Sequence, residues 1–126
     1  MSDPYEKINA HSGDEVPLIF ACSGGADVGH LSDLAARQMM KDGSGKMFCL
    51  AGIGGKVSTI LDTTRNTDKI LVIDGCHVDC AKKTLDNAGM TGYHHFRVTD
   101  LDFEKGKSPV DDKSVIQISE HVKAIW

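Results

Sequence analysis

Lys69-Ile70-Leu71-Val72-Ile73-Asp74-Gly75-Cys76 is the stretch that decides the fold. Its unbroken aliphatic run is typical of a strand buried on both faces, as in a parallel sheet. The run stops at Gly75, and apolar residues then recur at helical spacing. The stretch therefore predicts a strand followed by a helix that Gly89 is well placed to end. The apolar face of this helix consists of Val78, Ala81, Leu85 and Ala88.

The same alternation extends along the rest of the chain. Apolar runs at 17–21 and 47–51 predict two earlier strands, and a mixed polar and apolar run at 93–98 predicts an edge strand. We expect Asp27 to cap the first helix, and Ser108-Pro109 to open the last one. The helical faces are Val28, Leu31, Leu34, Ala35 and Met39, then Val57, Ile60 and Leu61, and finally Val115, Ile118, Val122 and Ile125.

The order β-α-β-α-β-α-β-α predicts an α/β fold. We expect a small doubly wound, Rossmann-like parallel sheet of about four strands in the order 2-1-3-4, with right-handed crossovers and helices on both faces. A chain of 126 residues has the length of one domain. Residues 1–15 are polar and predict a flexible N-terminal arm, which leaves 16–126 as a single α/β domain.

Composition and charge narrow the classes of function. The net charge of −4 and the absence of a basic stripe argue against nucleic-acid binding and against binding to anionic membranes. The chain shows no signal peptide and no apolar stretch long enough to span a membrane, so we expect a cytoplasmic protein. The low aromatic content of 6% favours a monomer. In a reducing cytoplasm, cysteines bind metal or do redox chemistry more often than they form structural disulfides.

The cysteines follow the predicted strands in phase. Cys22, Cys49 and Cys76 succeed one another at intervals of 27 residues, which is one strand and helix of this chain. Each therefore falls near the carboxyl end of its strand, and in the order 2-1-3 these strands are neighbours about 4.8 Å apart. If the third helix begins near His77, Cys80 lies one turn into it and faces the same edge. Four thiols at one edge predict a tetrahedral zinc site held by Cys22, Cys49, Cys76 and Cys80.

The positions of the glycines and of the helix N-termini also favour a ligand site at the carboxyl edge of the sheet. The glycines beside the cysteines let the backbone turn close to a bound ion. They are Gly24-Gly25, Gly52, Gly54-Gly55 and Gly75. Helix N-termini at the carboxyl edge of a parallel sheet favour negative charge, and this helps thiolates to form. Open α/β sheets also hold their ligands at this edge, where the strand order reverses.

These residues resemble the DGC-domain family of zinc-binding proteins, which is named for an Asp-Gly-Cys motif, here Asp74-Gly75-Cys76. The resemblance runs from about Phe20 to Lys105. It also includes Cys22-Ser23-Gly24, Cys49, Gly52-Ile53-Gly54-Gly55, Cys80 and Thr99-Asp100-Leu101. The resemblance implies that the four cysteines bind zinc, and it implies no established biochemical activity.

Other interpretations stay open. A redox or sulfur-transfer protein would use Cys76 and Cys80 at a helix N-terminus, with Cys22 as the attacking or sulfur-carrying thiol. In a purely structural domain the cysteines would only pack. The stretch Ser23-Gly24-Gly25-Ala26-Asp27-Val28 nearly matches the phosphate-binding loop of ATP pyrophosphatases, but Val28 replaces the expected hydroxyl residue. The residues also leave open whether a zinc site here is structural, hands on metal or acts on a small molecule.

Several other polar residues are candidates for the same edge. His77 and His30 are candidate ligands or proton-transfer groups, although a surface position is the favoured interpretation for both. We expect Asp74 to orient a turn, or else an N–H group beside the site. Asp27 and Asp79 are expected as acids at helix N-termini. His94 and His95 alternate across an edge strand, so only one of them can face a core.

Overall fold

We describe the protein from a computed structural model in which residues 16–126 are described. The arm predicted for residues 1–15 lies outside them. The strands are β1 (Leu18–Ala21), β2 (Lys46–Met47), β3 (Ile70–Asp74) and β4 (His94–Arg97). The helices are α1 (Asp27–Lys41), α2 (Leu50–Gly54), α3 (Ser58–Arg65), α4 (Cys80–Asn87) and α5 (Asp112–Ile125), and a 3-10 helix (Val98–Leu101) follows β4.

The four strands form one parallel sheet in the order β2-β1-β3-β4, which confirms the predicted order and fold class. β1 pairs with β3 from Leu18 opposite Ile70 to Ala21 opposite Ile73, so both strands end at the same edge. The carboxyl ends of the strands and the starts of the following helices therefore meet at this edge. Among residues 16–126, no helix is long and apolar enough to cross a membrane.

Both faces of the sheet are covered, as the continuous apolar runs require. Ile19 and Ile73 face a cluster that includes residues of α1 and α5. Phe20 and Val72 face the opposite cluster, which includes residues of α2, α3 and α4. Burying each of these side chains stabilises the fold by roughly 1.5–3 kcal/mol. The core is thus built in two apolar layers, one on each side of β1 and β3.

The second strand is shorter than predicted. The apolar run at 47–51 suggested a strand to Ala51, but β2 ends at Met47. The Cys49 thiol accepts the N–H of Gly52 and caps α2, so this local hydrogen bond turns the run into a helix. The single helix predicted around Ile60 is consequently two helices, α2 and α3.

Three predicted helix starts and three predicted buried positions were wrong. Ala26, not Asp27, is the cap of α1, and α4 begins at Cys80 rather than near His77. The last helix begins after Asp111, whose carboxylate accepts the N–H of Ser114 at 2.8 Å. Ser108 does not open it, because its N–H is used by a carboxylate on α1. Ile125, predicted in the buried stripe of this helix, is 63% exposed. Val57 and Val78, predicted on the apolar faces of two other helices, lie just before α3 and α4 and are also exposed.

Backbone segments meet without intervening side chains where β1 and β3 end. A β-carbon on Gly29, in the first turn of α1, would lie 2.7 Å from the carbonyl oxygen of Gly24. A β-carbon on Gly75 would lie 2.8 Å from the backbone nitrogen of Gly29. Contacts this short are not tolerated, so only glycine allows α1 to begin directly over the end of β3. This approach brings the loops after the two strands together.

We expect Gly29→Ala to lower the free energy of unfolding by about 1–3 kcal/mol, because the added methyl overpacks a backbone contact. A decrease in stability would point to this backbone contact, since alanine in place of a helical glycine normally stabilises a helix by up to about 1 kcal/mol. Urea denaturation measures the change. Gly25→Ala is the matched control, because a β-carbon there meets no atom within 4 Å. Equal stability of the two variants would contradict the packing argument.

Candidate metal centre

All four cysteines lie at or next to the carboxyl edge of the sheet. Cys22 follows β1, Cys49 follows β2 by two residues, Cys76 follows Gly75 after β3, and Cys80 is the first residue of α4. All four are free thiols; Cys22 and Cys76 are partly buried, whereas Cys49 and Cys80 are exposed. The structure thus confirms the predicted phase of the cysteines with the strands, while Cys80 lies at the helix start rather than one turn in.

The cysteines line two adjoining cavities. The smaller, of about 240 Å³, is lined by Cys22, Cys76, Cys80 and Lys105, and we call it the three-cysteine cavity. The larger, of about 670 Å³, opens between α1 and α2, and we call it the Cys49 cleft. Its walls include Cys22, Cys49 and Phe48. Cys22 belongs to both cavities, so it connects the two groups of thiols.

Cys22 is held by contacts with two other elements. Its N–H donates to the Ile73 carbonyl at 3.1 Å, and its Sγ accepts the N–H of Gly75 at 3.3 Å. Sγ also lies 3.2 Å from Oγ of Ser32, whose hydroxyl donates to the Gly29 carbonyl at 2.7 Å. These contacts join the thiol to β3 and α1 and determine where it points.

The residue after Cys22 has a strained backbone. Ser23 is in the left-handed region with φ of 54°, which a residue other than glycine seldom adopts. Its hydroxyl donates to Oδ1 of Asp33 at 2.8 Å, and Asp33 in turn accepts from Nε of Arg37 at 2.7 Å. Strain of this kind persists where surrounding contacts hold it, and it is frequent beside functional groups.

Lys105 lies beside the thiol of Cys76. Its Nζ donates to Cys76 Sγ at 3.7 Å and places a positive charge next to a sulfur that is negative when it binds metal. Sequence reasoning did not single out Lys105, because it is 29 residues from Cys76 in an otherwise ordinary charged loop. No local signal in the sequence marks such a contact.

The loop that carries Lys105 is attached to the start of α1 by Asp27. The Asp27 carboxylate accepts the N–H groups of Gly106 and Ser108, each at 2.9 Å, and that of Val28 at 2.8 Å. The donors on Gly106 and Ser108 hold the pKa of Asp27 below its usual value. Asp27 is an acid of the first helical turn, as predicted, but its main partners are 79 and 81 residues away.

Asp74 orients the helix that begins at Cys80. Its buried carboxylate accepts the N–H of Ala81 at 2.8 Å and that of Lys82 at 3.1 Å, and Nε2 of His95 lies 2.8 Å from it. These bonds satisfy donors that the first turn of α4 would otherwise leave unpaired. Asp74 was predicted to orient a turn or an N–H group, and the groups that it orients are those of the first turn of α4.

Asp79 connects the start of α4 to β4. It has a left-handed backbone with φ of 58° and forms two hydrogen bonds with Arg97, at 2.7 and 2.6 Å. The hydrogen bond with the Arg97 guanidinium lowers the pKa of Asp79 and raises that of Arg97. Cys80 is therefore carried on a helix end that Asp74 and Asp79 both hold.

The sulfurs are not in coordination geometry, because no three of them lie within 4.8 Å of one another. In the described part of the chain, the only three ligand atoms within 4.8 Å of one another belong to Asp74, Asp79 and His95. Those carboxylates already accept from Arg97 and from backbone N–H groups, so this group is an ion-pair network. The exposed His30 and His77 line neither of the two cavities. The cavities are lined by thiols, which suit soft, thiophilic ions such as zinc, and also by the carboxylates of Asp33, Asp74 and Asp79.

Comparison with known proteins identifies relatives of this chain. The sequence profile described as the DGC domain matches residues 18–122. The "Anaerobic and virulence modulator AnvM" of Pseudomonas aeruginosa (strain PAO1) is 36% identical over 72 residues. That alignment covers 57% of this chain and 55% of the relative, so the match spans about half the length of AnvM. No solved structure matches the chain.

We expect Asp74→Ala to lower the free energy of unfolding by about 2–4 kcal/mol, because it removes a helix cap and leaves buried donors unpaired. Chemical denaturation measures the loss. Asp86→Ala is the control on the same helix, since this carboxylate is exposed and pairs with Lys82 at the surface. A loss for Asp86→Ala as large as that for Asp74→Ala would show that the cap has no special role.

The Asp27 contacts predict a pH-dependent stability. A carboxylate whose pKa is depressed in the folded state stabilises it above its ordinary pKa of 3.8, and this contribution is lost as the pH falls through the folded value. Asp27→Asn should therefore be less stable than the wild type at neutral pH, and the difference should shrink in acid. Denaturation curves across this range test the sign, with Asp62→Asn on α3 as an exposed control. A difference that is constant with pH would contradict it.

Proposed function

The chain belongs to the DGC domain family, and from the arrangement of its cysteines we propose that it binds one zinc ion through Cys22, Cys49, Cys76 and Cys80. One observation carries the proposal: Cys22 borders both cavities, and between them the two cavities include all four thiols. Zinc bound by four sulfurs is a common tetrahedral arrangement in proteins. Binding would require side-chain and loop movement, since no three of these sulfurs lie within 4.8 Å of one another.

The surroundings suit the charge of such a site. Four thiolates and one zinc ion together carry a charge of −2, which has to be compensated. Lys105 provides a positive charge at Cys76, and the N–H groups of Gly75 and Gly52 point at the sulfurs of Cys22 and Cys49. The N-termini of α1 and α4 lie at the same edge and favour negative charge.

The rest of the fold argues for handling of metal rather than a purely structural ion. Structural zinc sites replace a core that the chain lacks, whereas this domain has apolar clusters on both faces of its sheet. The cysteines instead border open cavities at the edge where α/β sheets bind ligands. The relative AnvM is named a modulator, and we propose that this domain likewise couples a bound metal to a regulatory task in the cytoplasm.

One observation favours a second candidate function, in which the thiols themselves react. Cys22, Cys76 and Cys80 share the three-cysteine cavity, and Lys105 places its ammonium group beside Cys76. A cationic neighbour favours a nucleophilic thiolate. In that case the protein is a redox or sulfur-transfer protein that uses these three cysteines without a metal.

The metal content of the purified protein distinguishes zinc binding from metal-free thiol chemistry. Protein purified without chelator should contain about one zinc ion per chain, measured by plasma mass spectrometry. Cys22→Ser, Cys76→Ser and Cys80→Ser should each weaken zinc binding by at least about 10- to 100-fold, a cost known even for disturbing the partners of metal ligands. His30→Ala and His77→Ala are controls that should bind zinc like the wild type.

A metal-free protein with one rapidly alkylated thiol would instead support the thiol-chemistry function. Metal-free protein with four slowly reacting thiols would contradict both functions. The thiols are counted with a chromogenic disulfide in the native and denatured states, so that burial and reactivity are separated.

A further inference from the structure

The four cysteines differ in the contacts that hold them in place, so they would not bind a metal with equal strength. Cys22, Cys76 and Cys80 line the three-cysteine cavity, whereas Cys49 lies outside it on the wall of the Cys49 cleft. A site that holds a metal firmly needs ligands whose orientation other contacts determine. The contacts that hold each cysteine therefore determine how firmly its thiol would bind a metal.

Three of the thiols are attached to firmly packed elements. Cys22 is fixed by Gly75 and β3, and Cys76 follows a glycine that packs against the backbone of α1. Cys80 begins α4, whose first turn is held by Asp74 and Asp79. The support of Cys22 comes from Gly75, 53 residues away, while that of Cys80 comes from Asp74 at the end of the central strand β3.

Cys49 has much less support. It lies between the two-residue strand β2 and the five-residue helix α2, and its side chain is exposed. The hydrogen bond found for its thiol is the N–H of Gly52 at 3.3 Å, in the next turn of the same short helix. Rotation of this side chain would cost that one weak bond and leave the sheet undisturbed.

The cleft beside Cys49 has the size of a small-molecule site. Its volume of about 670 Å³ falls within the usual range for ligand pockets. Met40, Met47 and Phe48 line an apolar side, while Ser23 and Asp33 line a polar one. A molecule in this cleft would lie against both Cys22 and Cys49.

We propose that Cys22, Cys76 and Cys80 are the permanent ligands of the site and that Cys49 is an exchangeable one, whose place is taken by a low-molecular-weight thiol bound in the Cys49 cleft. The proposal rests on the proposed zinc binding. Catalytic zinc sites keep one position open, whereas structural sites are closed by four protein ligands. In the exchange the incoming thiol loses one proton and the Cys49 sulfur gains one, so charge is balanced and no electrons are transferred.

Cobalt(II) is the probe, because its sulfur-to-metal absorption grows with the number of bound thiolates. Cys49→Ser should bind Co²⁺ with about three quarters of the wild-type absorption, as expected for three thiolates in place of four. Adding 2-mercaptoethanol should restore the wild-type intensity in this variant. Cys76→Ser is the matched control: it should lose Co²⁺ binding by at least about tenfold, and the added thiol should not rescue it.

A second measurement uses the wild-type chain and avoids any folding defect. Treated with iodoacetamide in its Co²⁺ form, the protein should be alkylated first at Cys49 and keep its metal, as peptide and native mass spectrometry report. Loss of Co²⁺ from Cys49→Ser as complete as from Cys76→Ser, no response to 2-mercaptoethanol, or equal protection of all four thiols would overturn the exchangeable ligand. Failure of the wild type to bind either Zn²⁺ or Co²⁺ would instead overturn the proposed zinc binding.

Discussion

Parallel pairing of β1 with β3 is the constraint on which the rest of the structure depends. The register places Ala21 opposite Ile73, so both strands end at one edge and the loops that follow are adjacent. Two buried strands need apolar cover on both faces, and helices on each side provide it. The same pairing brings Cys22 beside the Asp-Gly-Cys turn, because Gly75 N–H reaches its sulfur.

Two carboxylates hold further backbone segments at the edge where β1 and β3 end. Asp27 attaches the loop of Lys105 to the start of α1, and Asp74 holds the start of α4 below Cys80. Each accepts several N–H groups that would otherwise lack partners at the edge of the sheet. These bonds hold the starts of α1 and α4, and both helix starts border the three-cysteine cavity. Cys49, between the outer strand β2 and the short helix α2, does not share this support.

This inequality among the thiols links the architecture to the proposed chemistry. A domain with apolar clusters on both faces of its sheet does not depend on an ion for its core, so a metal bound at the ligand edge, as proposed, would be available for exchange. Ligands on rigid elements retain the ion, while a ligand on a short peripheral segment lets it respond to other molecules.

Periodicity and spacing in the sequence determined the fold class, the strand order and the phase of the cysteines with the sheet. These features follow from local patterns, since a buried strand needs consecutive apolar residues and a helix needs one apolar face. Tertiary structure alone decided the contacts of Lys105, His95 and Asp27. Such contacts join residues 21 to 81 positions apart, and their energies depend on packing that no local pattern records.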